Sequence, residues 1–259
     1  MQSGQAIIDT NLYLSRWPFR RLYGDQPQEL MAKLRLMGVV QGWVGSFDAL
    51  LHRDIASVNA RLVEDCRQFG AGILLPFGTV NPRLPDWKEE LRRCHEDHRM
   101  QGLRLFPGWH GYKLDDGEAA ELMALATQRR MLIQIVVQTE DERTQHPLVQ
   151  VPNASIAKLP ALLRSISDLR VQLLNVRTPL QPLLKELVKA GSVYIDFAMV
   201  EGVHGVKRLA EMVGTDRVTF GSYFPFYYFE SALLKVKEAE LDPATVLQAN
   251  ARRLLGDLR

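Results

Sequence analysis

The sequence predicts a single α/β domain of the (β/α)8 barrel type, and three observations carry that prediction. Short runs rich in branched apolar residues alternate eight times with longer amphipathic runs. The short runs are near-continuously apolar, as parallel strands covered by helices must be. The length of 259 residues suits one barrel, and no Gly/Ser/Pro linker or shift in composition divides it, so 1–259 reads as one domain.

Taken in order, the strands are expected over 7–13, 39–46, 73–80, 102–106, 131–138, 169–175, 192–197 and 217–221. Helical patterns fall between them at 27–37, 54–69, 86–97, 117–129, 156–166, 179–190, 204–213 and 229–238. Leu159, Leu162, Leu163 and Ile166 show the buried stripe, recurring at i, i+3, i+4 and i+7. A last helix opens at Asp242-Pro243, a capping residue followed by proline in the first turn, and carries Val246, Asn250 and Leu254. The longest connection, 139–155, follows strand five at the end where barrel active sites are built, and loops of this length are usually functional. A doubly wound open sheet would usually place a glycine-rich phosphate loop after strand one; Asn11 to Arg20 contains no glycine.

Composition excludes several classes. A net charge of +2, without interleaved basic and aromatic residues, argues against a nucleic-acid partner. No apolar run reaches the length of a membrane span, and the first residues lack the pattern of a signal peptide. Cys66 and Cys94 lie in helical runs without partnering spacing, which fits structural thiols in a reducing cytoplasm.

The chemistry starts at Asp9-Thr10-Asn11-Leu12-Tyr13-Leu14. Residues at i and i+2 of a strand share a face, and two histidines so placed hold one divalent ion. With the following Trp17-Pro18-Phe19-Arg20, this segment resembles the opening of amidohydrolase-2 barrels, where the pattern is Ile-Asp-x-His-x-His. The resemblance continues through Gly102-Leu103-Arg104-Leu105-Phe106-Pro107, His110-Gly111-Tyr112, Glu140-Asp141-Glu142-Arg143, Gln145-His146-Pro147, Phe220-Gly221-Ser222-Tyr223-Phe224-Pro225 and Asn250-Ala251-Arg252-Arg253-Leu254. It covers nearly the whole chain and implies a metal-dependent hydrolase whose ligands and general base come from strands one, five, six and eight.

Here those positions are changed as a set. Asn11 and Tyr13 stand for the paired histidines, Gln138 and Asn175 end strands five and six where histidines are usual, and Tyr223 replaces the aspartate that activates water. A catalytic zinc needs about three protein ligands and an open position. Amides and a phenol of ordinary pKa near 10 supply little of that, so no metal and no cofactor are expected. They donate and accept hydrogen bonds and suit a neutral or anionic organic ligand.

Of the six histidines, His95 and His98 sit in a mixed charge run at a helix end away from the barrel mouth, and His52 and His204 stand alone near helix starts. His110 and His146 follow the C-terminal ends of strands and are the candidate acids or bases, with Asp141 beside them; each also reads as a loop histidine satisfied by backbone. Arg104 alternates onto the barrel's inward face. It is either in an interior ion pair with Asp9 or Asp196, or a bidentate clamp for a carboxylate. Arg16, Arg20 and Arg177 add charge at strand ends. The aromatic group from Phe224 to Phe229 either packs a helix or forms an apolar patch at the mouth. No G-x-S-x-G elbow, Walker loop or C-x-x-C offers other chemistry.

The leading expectation is a non-hydrolytic family member with a dismantled metal site that binds a small, carboxylated ligand or supports a partner, either a second copy or an active family member. The first alternative is a metal-independent lactonase or decarboxylase-like enzyme acting on a carboxylated molecule through His110 or His146. The second is a metal hydrolase with relocated ligands.

Overall fold

Eight parallel strands close into a barrel with helices outside it, as seen in a computed structural model that describes residues 5–177 and 181–256. The strands are β1 (Ile7–Leu14), β2 (Val39–Ser46), β3 (Leu74–Pro76), β4 (Gly102–Leu105), β5 (Leu132–Val136), β6 (Arg170–Leu174), β7 (Ser192–Asp196) and β8 (Val218–Thr219). Regular pairing runs β1 to β3 and β4 to β8, and single bridges, Gly78 to Leu103 and Leu12 to Phe224, join the two sheets into a ring. The expected helices appear as α1 (Pro27–Leu36), α2 (Ile55–Phe69), α3 (Trp87–Arg92), α5 (Gly117–Gln128), α6 (Leu159–Ser165), α7 (Gln181–Ala190), α8 (Gly205–Val213) and α9 (Phe229–Glu238), joined by a short helix α4 (Pro107–His110) and a closing α10 (Asn250–Gly256). The first two residues of the expected 179–190 helix lie outside the described residues.

Three strands are shorter than their apolar runs. Beyond β3, Gly78 N–H still reaches Gly102 O on β4, and beyond β5, Val137 N–H reaches Leu174 O on β6; beyond β8, Phe220 N–H turns away to Val246 O on the last helical segment. α6 starts at Leu159 rather than 156, with Pro160 inside its first turn, where a missing N–H costs nothing. The cap on the last segment is as expected: Asp242 Oδ2 accepts from Thr245 N–H at 3.1 Å.

Alternation along β1 breaks at a bulge. Its pairing advances three residues, Asp9 to Leu12, while β2 advances two, Gly42 to Val44. Leu12 therefore joins the apolar layer between strands and helices, while Tyr13 joins the cluster at the mouth.

Inside the ring, side chains form layers. Ile8, Trp43, Phe77, Leu132 and Tyr194 fill the bottom and meet Ala251 and Leu254 of α10. Above them the register places Arg104 beside Gln134 and Gln134 beside Gln172. These join into one chain: Arg104 Nε donates to Gln134 Oε1 at 2.8 Å, Gln134 Nε2 to Gln172 Oε1 at 2.7 Å, and Gln172 Nε2 to Thr10 Oγ1 and Thr219 Oγ1 at 2.7 and 2.8 Å. The layer is fully buried and polar, and its mutual hydrogen bonds are what make that burial tolerable.

Candidate functional site

The C-terminal ends of the strands bring together the positions that the sequence singled out. Asn11 Nδ2 donates to Asn175 Oδ1 at 2.8 Å and to Asp196 Oδ2 at 2.6 Å. Asn175 Nδ2 donates to Gln138 O at 2.8 Å, and its backbone N–H to Asp196 Oδ1 at 2.8 Å. Gln138 Nε2 turns to Glu140 O, and the Tyr223 hydroxyl to Thr139 O at 2.6 Å. All five side chains are buried, and their polar atoms are largely spent on one another or on backbone.

Above this network the mouth is filled by rings. Tyr13 stacks on Phe47 at 4.2 Å between centroids and meets Tyr223 edge-on at 5.5 Å; Tyr223 in turn stacks on Phe226 at 4.8 Å. Trp17 packs edge-on against Phe47, Phe226 and Trp109. The aromatic group after β8 thus does both things expected of it: Phe224 and Phe229 pack the helix layer, while Phe226 and Tyr227 cover the mouth.

Arg104 corrects one expectation. Its guanidinium is held by neutral oxygens, donating to Leu12 O at 2.6 Å, Trp43 O at 3.1 Å, Thr10 O at 3.2 Å and Gln134 Oε1, and it lies 4.6 Å over the Tyr13 ring. Among the described residues no carboxylate forms an ion pair with it, so neither Asp9 nor Asp196 is its direct partner. Gly45 makes room for it; a Cβ there would stand 2.8 Å from Arg104 Cδ.

The three candidate acid-base residues are apart in their bonding. His110 Nε2 pairs with Ala49 O at 2.9 Å, its Nδ1 is buried without a partner, and burial holds its pKa below the usual histidine value. His146 is exposed on the loop after β5, where its Nδ1 accepts from Leu148 N–H and its ring stacks on Phe19. Asp141 is ion-paired with Arg143 at 2.7 Å and Arg177 at 2.9 Å, which lowers its pKa. Among the described residues no hydrogen bond joins any two of the three. Two of the three mouth arginines are ion-paired: Arg20 with Glu140, and Arg177 with Asp141 and Glu201.

Sequence reasoning missed the Gln134 and Gln172 layer and the contribution of Trp17, Phe47 and Trp109 to the ring cluster. The glutamines did carry a signal, since each is a lone amide between apolar neighbours in mid-strand, Ile133-Gln134-Ile135 and Val171-Gln172-Leu173. The rings lie on separate loops and carried none.

The amidohydrolase family model (Amidohydro_2) matches residues 9–256, and the chain belongs to that family. Solved structures share its fold. A Staphylococcus aureus protein titled as an amidohydrolase superposes with a TM-score of 0.74 at 12% identity, covering 97% of this chain and 99% of that one. The 2,6-dihydroxybenzoate decarboxylase of Rhizobium gives 0.70 at 14%, covering 98% and 99%. The 5-carboxyvanillate decarboxylase of Novosphingobium aromaticivorans, solved with bound manganese, gives 0.70 at 13%, covering 98% and 97%. No curated protein has a matching sequence.

The residues present do not fit the metal that the family implies. The Asn11 amide nitrogen faces the site's oxygens, burial pushes the Tyr13 phenol up to about 12, and the Tyr223 phenol is pushed well above its ordinary value. Among the described residues no group of three or more His, Cys, Asp or Glu side chains converges to hold an ion. No described helix is long and apolar enough to cross a membrane.

Proposed function

We propose that this chain is a non-hydrolytic amidohydrolase-family barrel, which keeps the fold as a binding scaffold and has closed the position where the metal and its water would act. The observation that carries this reading is the network of Asn11, Gln138, Asn175, Tyr223 and Asp196, whose donors are spent within the protein and which is roofed by Tyr13, Phe47 and Phe226. A hydrolytic site needs an ion, ligands to orient it and a base to take a proton from water, and these act as a unit. The scaffold reading is supported by the surface around the roof. Six of the nine exposed large apolar side chains among the described residues, Phe19, Tyr23, Leu51, Leu148, Val203 and Tyr228, lie on loops that follow strand ends. Their placement at that end of the barrel favours a protein partner, such as a family member with intact histidines, over a small ligand held inside the mouth.

The test is elemental analysis of protein expressed with added zinc or manganese, together with assays on esters, lactones and amides. The expected result is no stoichiometric metal and no turnover. Repair in parts, Tyr223→Asp alone or Asn11→His with Tyr13→His, is expected to restore neither, because two ligands without a third do not make the usual site.

A second reading is favoured by one observation, the buried and unpartnered Nδ1 of His110. It is a metal-independent decarboxylase-like activity on an aromatic acid, the substrate class named for the two decarboxylases of the same fold. Turnover of such an acid that survives chelators and is lost in His110→Ala would establish it and displace the first.

A further inference from the structure

We propose that the cavity at the N-terminus of α5 binds the phosphate group of a small molecule, held between the first-turn N–H groups of that helix, the Arg83 guanidinium and the Tyr112 hydroxyl. The site stands on the rim of the barrel's C-terminal face, where α5 begins after β4 and where Arg83 follows β3. None of these residues belongs to the ring cluster over the mouth, so the inference goes beyond the closed-site reading and does not depend on it.

The cavity has a volume of about 520 Å³, the size of small-molecule sites generally. A helix of 12 residues leaves its first N–H groups without intrahelical acceptors and carries partial positive charge at that end. In α5 no side chain caps them. Asp116, at the capping position, turns its Oδ2 back to Lys113 N–H at 2.9 Å instead. A Cβ built on Gly117, the first residue of the helix, meets nothing within 4 Å, so the backbone there is open to an approaching oxygen.

Two donor side chains line the same cavity. Tyr112 is 6% exposed, and its hydroxyl is buried with no hydrogen-bond partner. Burial pushes that phenol well above its ordinary value, so it stays protonated and able to donate. A buried donor left unpaired is costly, and an anionic oxygen in the cavity would satisfy it. Arg83 is held by its turn, its backbone N–H donating to Asn81 Oδ1 at 3.0 Å. Its guanidinium has no ion pair among the described residues, in contrast to Arg20 and Arg177, and its fork of donors matches phosphate oxygens. Two carboxylates also line the cavity and set its strength: Asp116 is engaged with Lys113, while Glu118, exposed on the first turn, opposes an anion.

Titration of the intact, isotope-labelled protein with inorganic phosphate at fixed ionic strength, read by NMR at the amides of Gly117, Glu118 and Ala119, tests the site. Saturable shifts at the α5 N-terminus are expected. Tyr112→Phe, which removes only an unpartnered hydroxyl, and Arg83→Met, at an exposed position, should both stay folded and each weaken binding about tenfold. Glu118→Gln should tighten it about two- to fivefold, the usual scale for one charge at a helix N-terminus. Glycerol phosphate is the second probe: tighter binding than the inorganic ion assigns the site to a phosphate monoester, equal binding to the free ion, and either result supports it. No saturable shift at these amides with either probe, or an affinity unchanged in either Arg83→Met or Tyr112→Phe, would overturn the proposal. Metal analysis and turnover assays decide the closed-site reading separately.

Discussion

Arg104 carries a cation into the middle of the barrel, and what stabilises it there is geometric. A planar fork of donors reaches three backbone carbonyls and one amide oxygen, a set that a lysine's compact ammonium cannot match. Arg104→Met should therefore destabilise the fold by about 3 kcal/mol or more, since it strands several buried acceptors at once. Gly45 is the matching half of the arrangement, its missing Cβ leaving the space for Arg104 Cδ. Gly45→Ala is expected to destabilise the wild type and to cost measurably less in the Arg104→Met background. A urea-denaturation double-mutant cycle giving strictly additive losses would show that the two sites are independent.

At the scale of elements, the segments after β1, β2, β4 and β8 meet through rings. Phe47, on the turn that follows β2, is in contact with Tyr13, Trp17 and Phe226. Phe47→Ala should cost about 3–5 kcal/mol, the usual range for deleting a buried phenyl group. It should also leave an apolar cavity able to take a small aromatic molecule, as dry engineered cavities do. Melting temperature measured against benzene or indole is then expected to rise in the variant and stay flat in the wild type. A wild-type rise of equal size would mean that the roof is already open.

For the whole molecule, pH acts from two sides. Asp25 is buried against Arg21, whose side chain holds its pKa below the ordinary carboxylate value, and Asp54 is lowered by capping α2 through Ser57. Their contribution is present above the unfolded pKa and is lost as pH falls through the depressed folded one. Asp9 and Asp196, raised by burial, act in the opposite direction as pH rises towards about 6 and about 7. Stability against urea should therefore peak in mildly acidic buffer, at about pH 4–5, below the usual range for maximal stability. A maximum at pH 8 would contradict the raised pair.

By itself the sequence determined the ring of eight strands and helices, because each strand's apolar run and each helix's stripe is a local pattern with its own period. It also showed that Asn11, Tyr13 and Tyr223 stand where the family resemblance implies histidines and an aspartate, which is the basis for proposing that the metal position is dismantled. The tertiary structure decided how those positions are packed. Asn11 meets Asn175 and Asp196 across 164 and 185 residues of chain, and Trp17 meets Phe226 from the far end of the sequence. No periodicity records such pairings. The bulge in β1 likewise follows from how β1 pairs with β2, and it sends Leu12 to the helix layer and Tyr13 to the mouth. Whether Arg104 would meet the carboxylate of Asp9 or Asp196 or other oxygens was undecidable from alternation, which fixes a side chain's face but not the oxygens waiting there.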